Sequence, residues 1–362
     1  MSWDPPAIVE QGEGCDLDKK QIFNDKEWIT TDNNKKSKNY GTTYVTWTRY
    51  EFKSGEYVRS PIFESHSDNG GKHWSDPQEI SGKSKELCTF QATGHDGQCD
   101  EDQGSVVTVA PDGTVYVAFE NSQNDALNEP GEFGDDQYLV VKSKDGGEHW
   151  SKPAFVAGLE DGSNDYPLNA DGRQTLSGYQ VRVWSEGNIV ASPKDGTLYL
   201  AFSDNRNGLH DVANPVTNSD VLVTSSSDGG KTWSDPSLVD AGGGDQWFPW
   251  VDVNPVTGKI GVLYNDRGAA NGTFYGASLA EGMPGSLVKT TLSTAPSDPV
   301  HSIFFQAEVP GCMQCALFHG DYIGLAYGSD GHANAVWTDM RQFVSDPDLG
   351  DGFLQFIDFA RK

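Results

Sequence analysis

Four arginines stand at equivalent places in a recurring pattern. Trp47-Thr48-Arg49, Phe202-Ser203-Asp204-Asn205-Arg206, Tyr264-Asn265-Asp266-Arg267 and Trp337-Thr338-Asp339-Met340-Arg341 each lead from an apolar strand into a polar stretch ending on Arg. A related stretch, Phe119-Glu120-Asn121, keeps the aromatic residue and loses the arginine. Carboxylates recur ahead of the strands that precede these: Asp25 and Glu27, Asp102, Glu186, Asp245 and Asp321. A guanidinium is a planar fork that can grip a carboxylate through two parallel hydrogen bonds. Two uses follow. Arg49, Arg206, Arg267 and Arg341 clamp the acid group of a ligand, or they brace loop ends against the protein's own Asp and Glu. Among groups that could transfer protons or attack a substrate, Asp321 beside Tyr322 is the best placed pair, with Glu27 and Asp245 as further carboxylates. A tyrosine at that position in a strand is equally a core residue.

The elements that must position these residues announce themselves by repetition. Ser67-Asp68-Asn69-Gly70-Gly71-Lys72-His73-Trp74, Ser143-Lys144-Asp145-Gly146-Gly147-Glu148-His149-Trp150 and Ser226-Ser227-Asp228-Gly229-Gly230-Lys231-Thr232-Trp233 are three copies of one turn. Each continues as Trp-Ser-(Asp/Lys)-Pro into a short strand. Asp or Asn can fold back onto the backbone of a tight turn, and Gly supplies positive φ. Spaced as they are, such hairpins predict a propeller or solenoid. Five inner hairpins are expected, at 28–31 with 43–48, 105–110 with 114–119, 188–192 with 197–202, 250–253 with 259–264, and 323–327 with 332–337. Third strands are expected at 58–65, 138–143, 220–226 and 273–279. The fold class is therefore all-β: a single β-propeller domain over 1–362, of four-stranded antiparallel blades, five by this count. Trp3-Asp4-Pro5-Pro6-Ala7-Ile8-Val9 copies the stretch after each repeated turn, so an N-terminal strand is expected to pair with 353–359 and close the last blade. The long segments 81–103, 120–137, 157–187, 203–219, 299–319 and 338–352 all enter a first strand or leave a second one. They should crowd one mouth of the central channel, with the repeated turns at the other end.

The three turns resemble the Asp-box, or bacterial neuraminidase repeat, of the sialidase-like β-propellers, Ser-x-Asp-x-Gly-x-x-Trp. The matching positions are Ser143, Asp145, Gly147 and Trp150, then Ser226, Asp228, Gly230 and Trp233, and then Ser67, Gly71 and Trp74, with Asn69 in place of the Asp. The resemblance implies the fold, with six blades, as in sialidases, the alternative to five. It gives the repeated turns a structural role away from any substrate. It further implies a Tyr nucleophile helped by a carboxylate, an Asp as acid/base, and three arginines holding the sugar acid. His319-Gly320-Asp321-Tyr322-Ile323-Gly324-Leu325-Ala326 resembles the matching stretch of bacterial members, while the Arg-Ile-Pro motif of the first blade is missing. The function expected is a secreted carbohydrate-active propeller, a sialidase-type exo-glycosidase acting on an acidic sugar. The alternative is a non-catalytic propeller that binds glycan or protein through the same mouth.

Composition sets the remaining bounds. The 362 residues carry 26 Lys and Arg against 53 Asp and Glu, a formal charge of −27. Such a surface repels nucleic acid and suits an extracellular or cation-binding protein. No apolar run approaches the ~20 residues of a membrane span. No cofactor is required by this reading. Calcium is an expectation from the acidic loops 125–136, 161–171 and 346–351, whose hard oxygen ligands suit that ion. Of the five cysteines, Cys88 and Cys99 bracket one loop, and Cys312 and Cys315 form Cys-x-x-Cys with His319 downstream and Cys15 left over. Two disulfides are expected, Cys88–Cys99 and one within the 15/312/315 group, with a zinc site of three thiolates and His319 as the competing arrangement.

Overall fold

The computed structural model describes residues 5–14, 20–89, 97–123, 136–162, 165–211, 213–268, 272–304, 312, 316–347 and 350–362. Every regular element among them is a strand, and five antiparallel sheets form the five blades of a propeller. The first contains β1 (Lys20–Thr31), β2 (Thr43–Lys53), β4 (Ile62–Ser67) and β5 (Gln78–Glu79), with β3 (Glu56–Arg59) as an extra hairpin on β2. The second runs β6 (Asp102–Val109), β7 (Val115–Asn121), β8 (Gln137–Ser143) and β9 (Ala154–Gly158). The third runs β10 (Asn188–Ala191), β11 (Leu198–Asp204), β12 (Asp220–Ser226) and β13 (Ser237–Leu238). The fourth runs β14 (Gln246–Val253), β15 (Ile260–Asp266), β16 (Gly276–Gly282) and β17 (Val288–Thr291), and the last has β18 (Gly324–Tyr327), β19 (Ala333–Asp346) and β20 (Gly350–Arg361). All five inner hairpins form where the sequence places them. The expected third strands at 58–65 and 273–279 begin later, at Ile62 and Gly276, because an extra hairpin and a loop intervene.

Strands buried on both faces read as apolar runs, and β7 and β11 are buried at every position. Successive blades pack through these faces. Val106, Tyr138 and Val140 of the second blade share one cluster with Ile189, Leu200 and Phe202 of the third. Leu263, Leu279, Leu325 and Trp337 join the fourth blade to the last.

The three repeated turns lie between third and fourth strands, at the end away from the long loops. In the second copy Ser143 Oγ donates to Asp145 Oδ1 (2.9 Å) and accepts from Gly147 N (3.0 Å). His149 N donates to Asp145 Oδ1 (3.1 Å), and Trp150 Nε1 to Gly147 O (3.0 Å). Ser226, Asp228 and Gly230 repeat the pattern. Asn69 keeps the same acceptor oxygen for the amides of Lys72 and His73, which is why the substitution is tolerated.

One expectation is corrected. Among the described residues no strand closes the last blade: residues 5–9 carry no ladder, and Trp3 and Asp4 lie outside the described set. Pro5 and Pro6 have no amide hydrogen to give a ladder. The chain turns instead toward the first blade, where Glu10 accepts from Trp47 Nε1 (3.0 Å) and Arg49 Nη1 (2.9 Å), and Glu13 bridges Ile22.

The Cys88–Cys99 disulfide is present, with Cα atoms 5.3 Å apart. Cys312 is disulfide-bonded as well, which removes one of the three thiolates a zinc site would need. Cys15 and Cys315 lie outside the described residues.

Candidate functional site

Three inner strands carry a β-bulge near the mouth, between Asp25 and Trp28, Gln103 and Val106, and Trp247 and Trp250. At each bulge one residue takes a left-handed backbone: Lys26 (φ 56°), Gly104 (φ 64°) and Phe248 (φ 51°). Such conformations are unusual outside glycine, and bulges re-aim side chains that a regular strand would point elsewhere.

Lys26 is aimed inward and is 4% exposed. Its Nζ lies 2.6 Å from Glu186 Oε2 and 3.9 Å from Asp321 Oδ2. The same ammonium sits over the rings of Trp184 (4.6 Å) and Tyr322 (4.3 Å). Trp184 Nε1 donates to Glu186 Oε2 (2.9 Å). Opposite, Arg182 Nη2 donates to both oxygens of Asp321 (2.8 and 2.7 Å), with its guanidinium over Trp184 and Phe318. Arg182 gets there because its loop pairs locally, Thr175 with Arg182, and then runs parallel to the approach to the last blade, Val181 with Leu317. One cluster thus draws on the first, third and last blades.

Electrostatics follows burial. Burial raises Glu186, and the Lys26 charge opposes it. Tyr322 is pushed up by burial, then by the charges of Glu186, Glu27, Asp25 and Asp321. Beside this cluster is a cavity of about 320 Å³. Gln103, Glu120, Asp136, Asp161, Arg173, Arg182 and Trp184 are among its lining residues. Burial and the Glu186 charge push Glu120 up to about 7. Burial and the Glu120 charge push Asp161 up as well.

The four second-strand arginines are placed differently. Arg206 is forked onto Asp204 (Nε 2.9 Å, Nη2 2.6 Å) and reaches Gly158 O. Arg267 holds Asp245 (2.8 Å) and Ser177 O, over the ring of Tyr179. Arg341 pairs with Asp339 (2.9 Å) and Asp358. Arg49 pairs with Glu10 and, at 3.4 Å, with Glu51. Each grips carboxylates of the protein itself, which is the geometry of a brace. Asp245 is fully buried, accepting also from Thr217 Oγ1 and Ser219 N, away from the cavity lining. Glu27 is exposed, and its charge is felt at Tyr322. Of the sequence candidates, the structure brings together Asp321, Tyr322 and Glu186. Reading the sequence by its repeats missed Lys26, Arg182 and Trp184, none of which recurs, while Asp161 was visible only as the start of an acidic loop. Glu120 had one visible signal: it breaks the arginine pattern.

No family model and no curated protein matches the chain. Solved structures do. A Hadza microbial sialidase superposes with a TM-score of 0.50 at 15% identity, over 94% of this chain and 56% of its own. A protein of unknown function from Dyadobacter fermentans gives 0.46 at 18% identity, over 92% and 83%. A thermostable family-43 glycoside hydrolase gives 0.41 at 16% identity, over 94% and 89%. This chain spans little more than half the length of that sialidase. At such identities the likeness is one of fold, that of a five-bladed all-β propeller.

Proposed function

We propose that this propeller acts on carbohydrate, as a glycoside hydrolase of sialidase type that takes an acidic sugar at the mouth of its channel. The observation that carries the reading is the Lys26–Glu186–Asp321–Arg182 cluster, with Tyr322 lying against it and Trp184 beside the cavity. Trp184 adds an apolar aromatic surface to the wall of the cavity. Arg173 lines the same cavity, is exposed, and makes no ion pair among the described residues, so its fork is available to a sugar carboxylate. Tyr322 Oη would attack the anomeric carbon while Glu186 accepts the phenol proton and the glycosidic C–O bond breaks, the aglycone leaving on its oxygen and taking a proton from water. A second water would then hydrolyse the glycosyl-tyrosine and return the proton. The Arg182 grip fixes Asp321 next to this pair.

A binding-only reading also has an observation behind it. Lys26 and Arg182 already hold carboxylates, and a site built only to grip needs no nucleophile. A screen of fluorogenic glycosides, sialosides first, separates the two. Turnover that falls about a thousandfold in Tyr322→Phe and in Glu186→Gln supports hydrolysis. Glycan binding without turnover, lost in Arg173→Ala, supports the second reading, and neither turnover nor binding on acidic sugars removes both.

A further inference from the structure

The cavity has a second wall that the reading above does not use. Glu120 at the end of β7, Asp136 just ahead of β8 and Asp161 just after β9 come from one end of the second blade. One carboxylate oxygen from each lies within 4.8 Å of the others. All three side chains are buried, with residue exposures of 4%, 8% and 4%. Carboxylates so close cannot all stay charged in a buried place without compensation. Neither Glu120 nor Asp161 has an ion pair with Lys, Arg or His among the described residues, and Lys26 is engaged by Glu186 and Asp321.

An independent observation points to a missing partner. Ser185 is fully buried beside Asp161, close enough to help hold that carboxyl down, yet neither its hydroxyl nor Asp161 Oδ1 completes a well-aligned hydrogen bond. Buried polar atoms are rarely left so, and each needs an explanation such as an ion or an ordered water. The site also has room, since it opens on the cavity of about 320 Å³.

We propose that Glu120, Asp136 and Asp161 bind a divalent cation, calcium by its chemistry, with the Ser185 hydroxyl as a further oxygen neighbour. Hard carboxylate and hydroxyl oxygens select a hard cation, and calcium accepts an irregular shell completed by water, whereas magnesium demands a near-ideal octahedron. Two of the acidic loops, 125–136 and 161–171, supply one ligand each. A bound ion would tie the end of β7 to the starts of β8 and of the loop after β9, and so stiffen the wall of the sugar cavity.

The test uses the full chain, stripped with EDTA and titrated with calcium by calorimetry, with melting temperature read in parallel. One calcium per chain and a raised melting temperature are expected. Asp161→Asn and Glu120→Gln should each weaken binding by about tenfold or more, as loss of a ligand does. In EDTA the same variants should melt no lower than the parent chain, because each relieves the crowding of three buried carboxyl groups. Glu160→Gln controls for the neighbouring group of Glu160, Asp165 and His210 and should leave binding unchanged. Absence of any calcium effect overturns the proposal. So does calcium binding that survives both Asp161→Asn and Glu120→Gln, or that Glu160→Gln abolishes.

Discussion

At the outer end of the blades, Ser143, Asp145 and Gly147 satisfy one another within five residues of chain, and Ser67 and Ser226 head turns of the same design. At the mouth, Lys26 meets Glu186 from 160 positions away, and Arg182 meets Asp321 from 139. The outer turns are repeated and interchangeable: Asn69 stands in for Asp with the hydrogen bonds kept. The mouth cluster is buried and occurs once. Repetition in this molecule marks what every blade needs to fold, and the residues that break the repeat make the site. The arginines follow the same division. Those that recur brace their surroundings, while Arg182 and Arg173, outside any repeat, line the cavity.

The largest expected effect lies at the mouth. Lys26→Met leaves Glu186 without its buried cation and weakens the hold on Asp321, and stripping one partner from such a group costs about 3–5 kcal/mol. Urea denaturation should show that loss, and the double variant Lys26→Met with Glu186→Gln should recover part of it. A loss under about 1 kcal/mol, the scale of exposed ion pairs, would erase the contrast between the two ends.

Acid separates the ends next. His319 is buried against Trp247, Phe248 and Tyr275, accepts from Trp247 Nε1 (3.2 Å), and is pushed down to about 4 by burial. Its folded value lies below the unfolded one, so between about pH 4 and 6.5 the unfolded chain binds more protons and stability rises with pH. A shift of this size corresponds to on the order of 3 kcal/mol across that window, lost on acidification. Asp145 behaves oppositely in cause. Hydrogen bonds from His149 and Ser143 hold it down at about 2, so its contribution is present above about pH 4 and disappears only as pH falls toward 2. Stability curves against pH for the parent chain and His319→Gln should differ in slope between pH 4 and 6.5 and nowhere else. Equal slopes in that window would remove His319 as the cause.

The smallest effects belong to the outer turns. Ser226→Ala removes the acceptor of Gly230 N and one donor to Asp228, a cap-like loss of about 1 kcal/mol. Asp145→Asn should cost less, since Asn69 shows that an amide oxygen serves the turn. A cooperative collapse from Ser226→Ala in thermal melts would mean that this turn does more than cap one hairpin.

How much of this was legible in the chain divides along the same line. The hairpins at 105–119 and 188–202 could be placed because turn chemistry and strand pattern are encoded in neighbouring residues, with Pro111-Asp112-Gly113 and Lys194-Asp195-Gly196 as punctuation. The five-blade count and the position of the repeated turns followed from those local signals. The Cys88–Cys99 pair was legible for the same reason, as both cysteines bracket one loop. The N-terminal strand was misplaced because resemblance to the stretch after each turn ignored Pro5, Pro6 and the pull of Arg49 on Glu10. What only the tertiary structure decided is which charged residues meet. A bulge at Lys26 turns a side chain that strict alternation would assign by parity alone, and a loop bridging to Leu317 carries Arg182 to the last blade. Glu120 and Asp161 meet because strand ends 41 positions apart come together at one end of the second blade, and burial there sets their surroundings. Those forces act between residues far apart in the chain, so no local pattern records them.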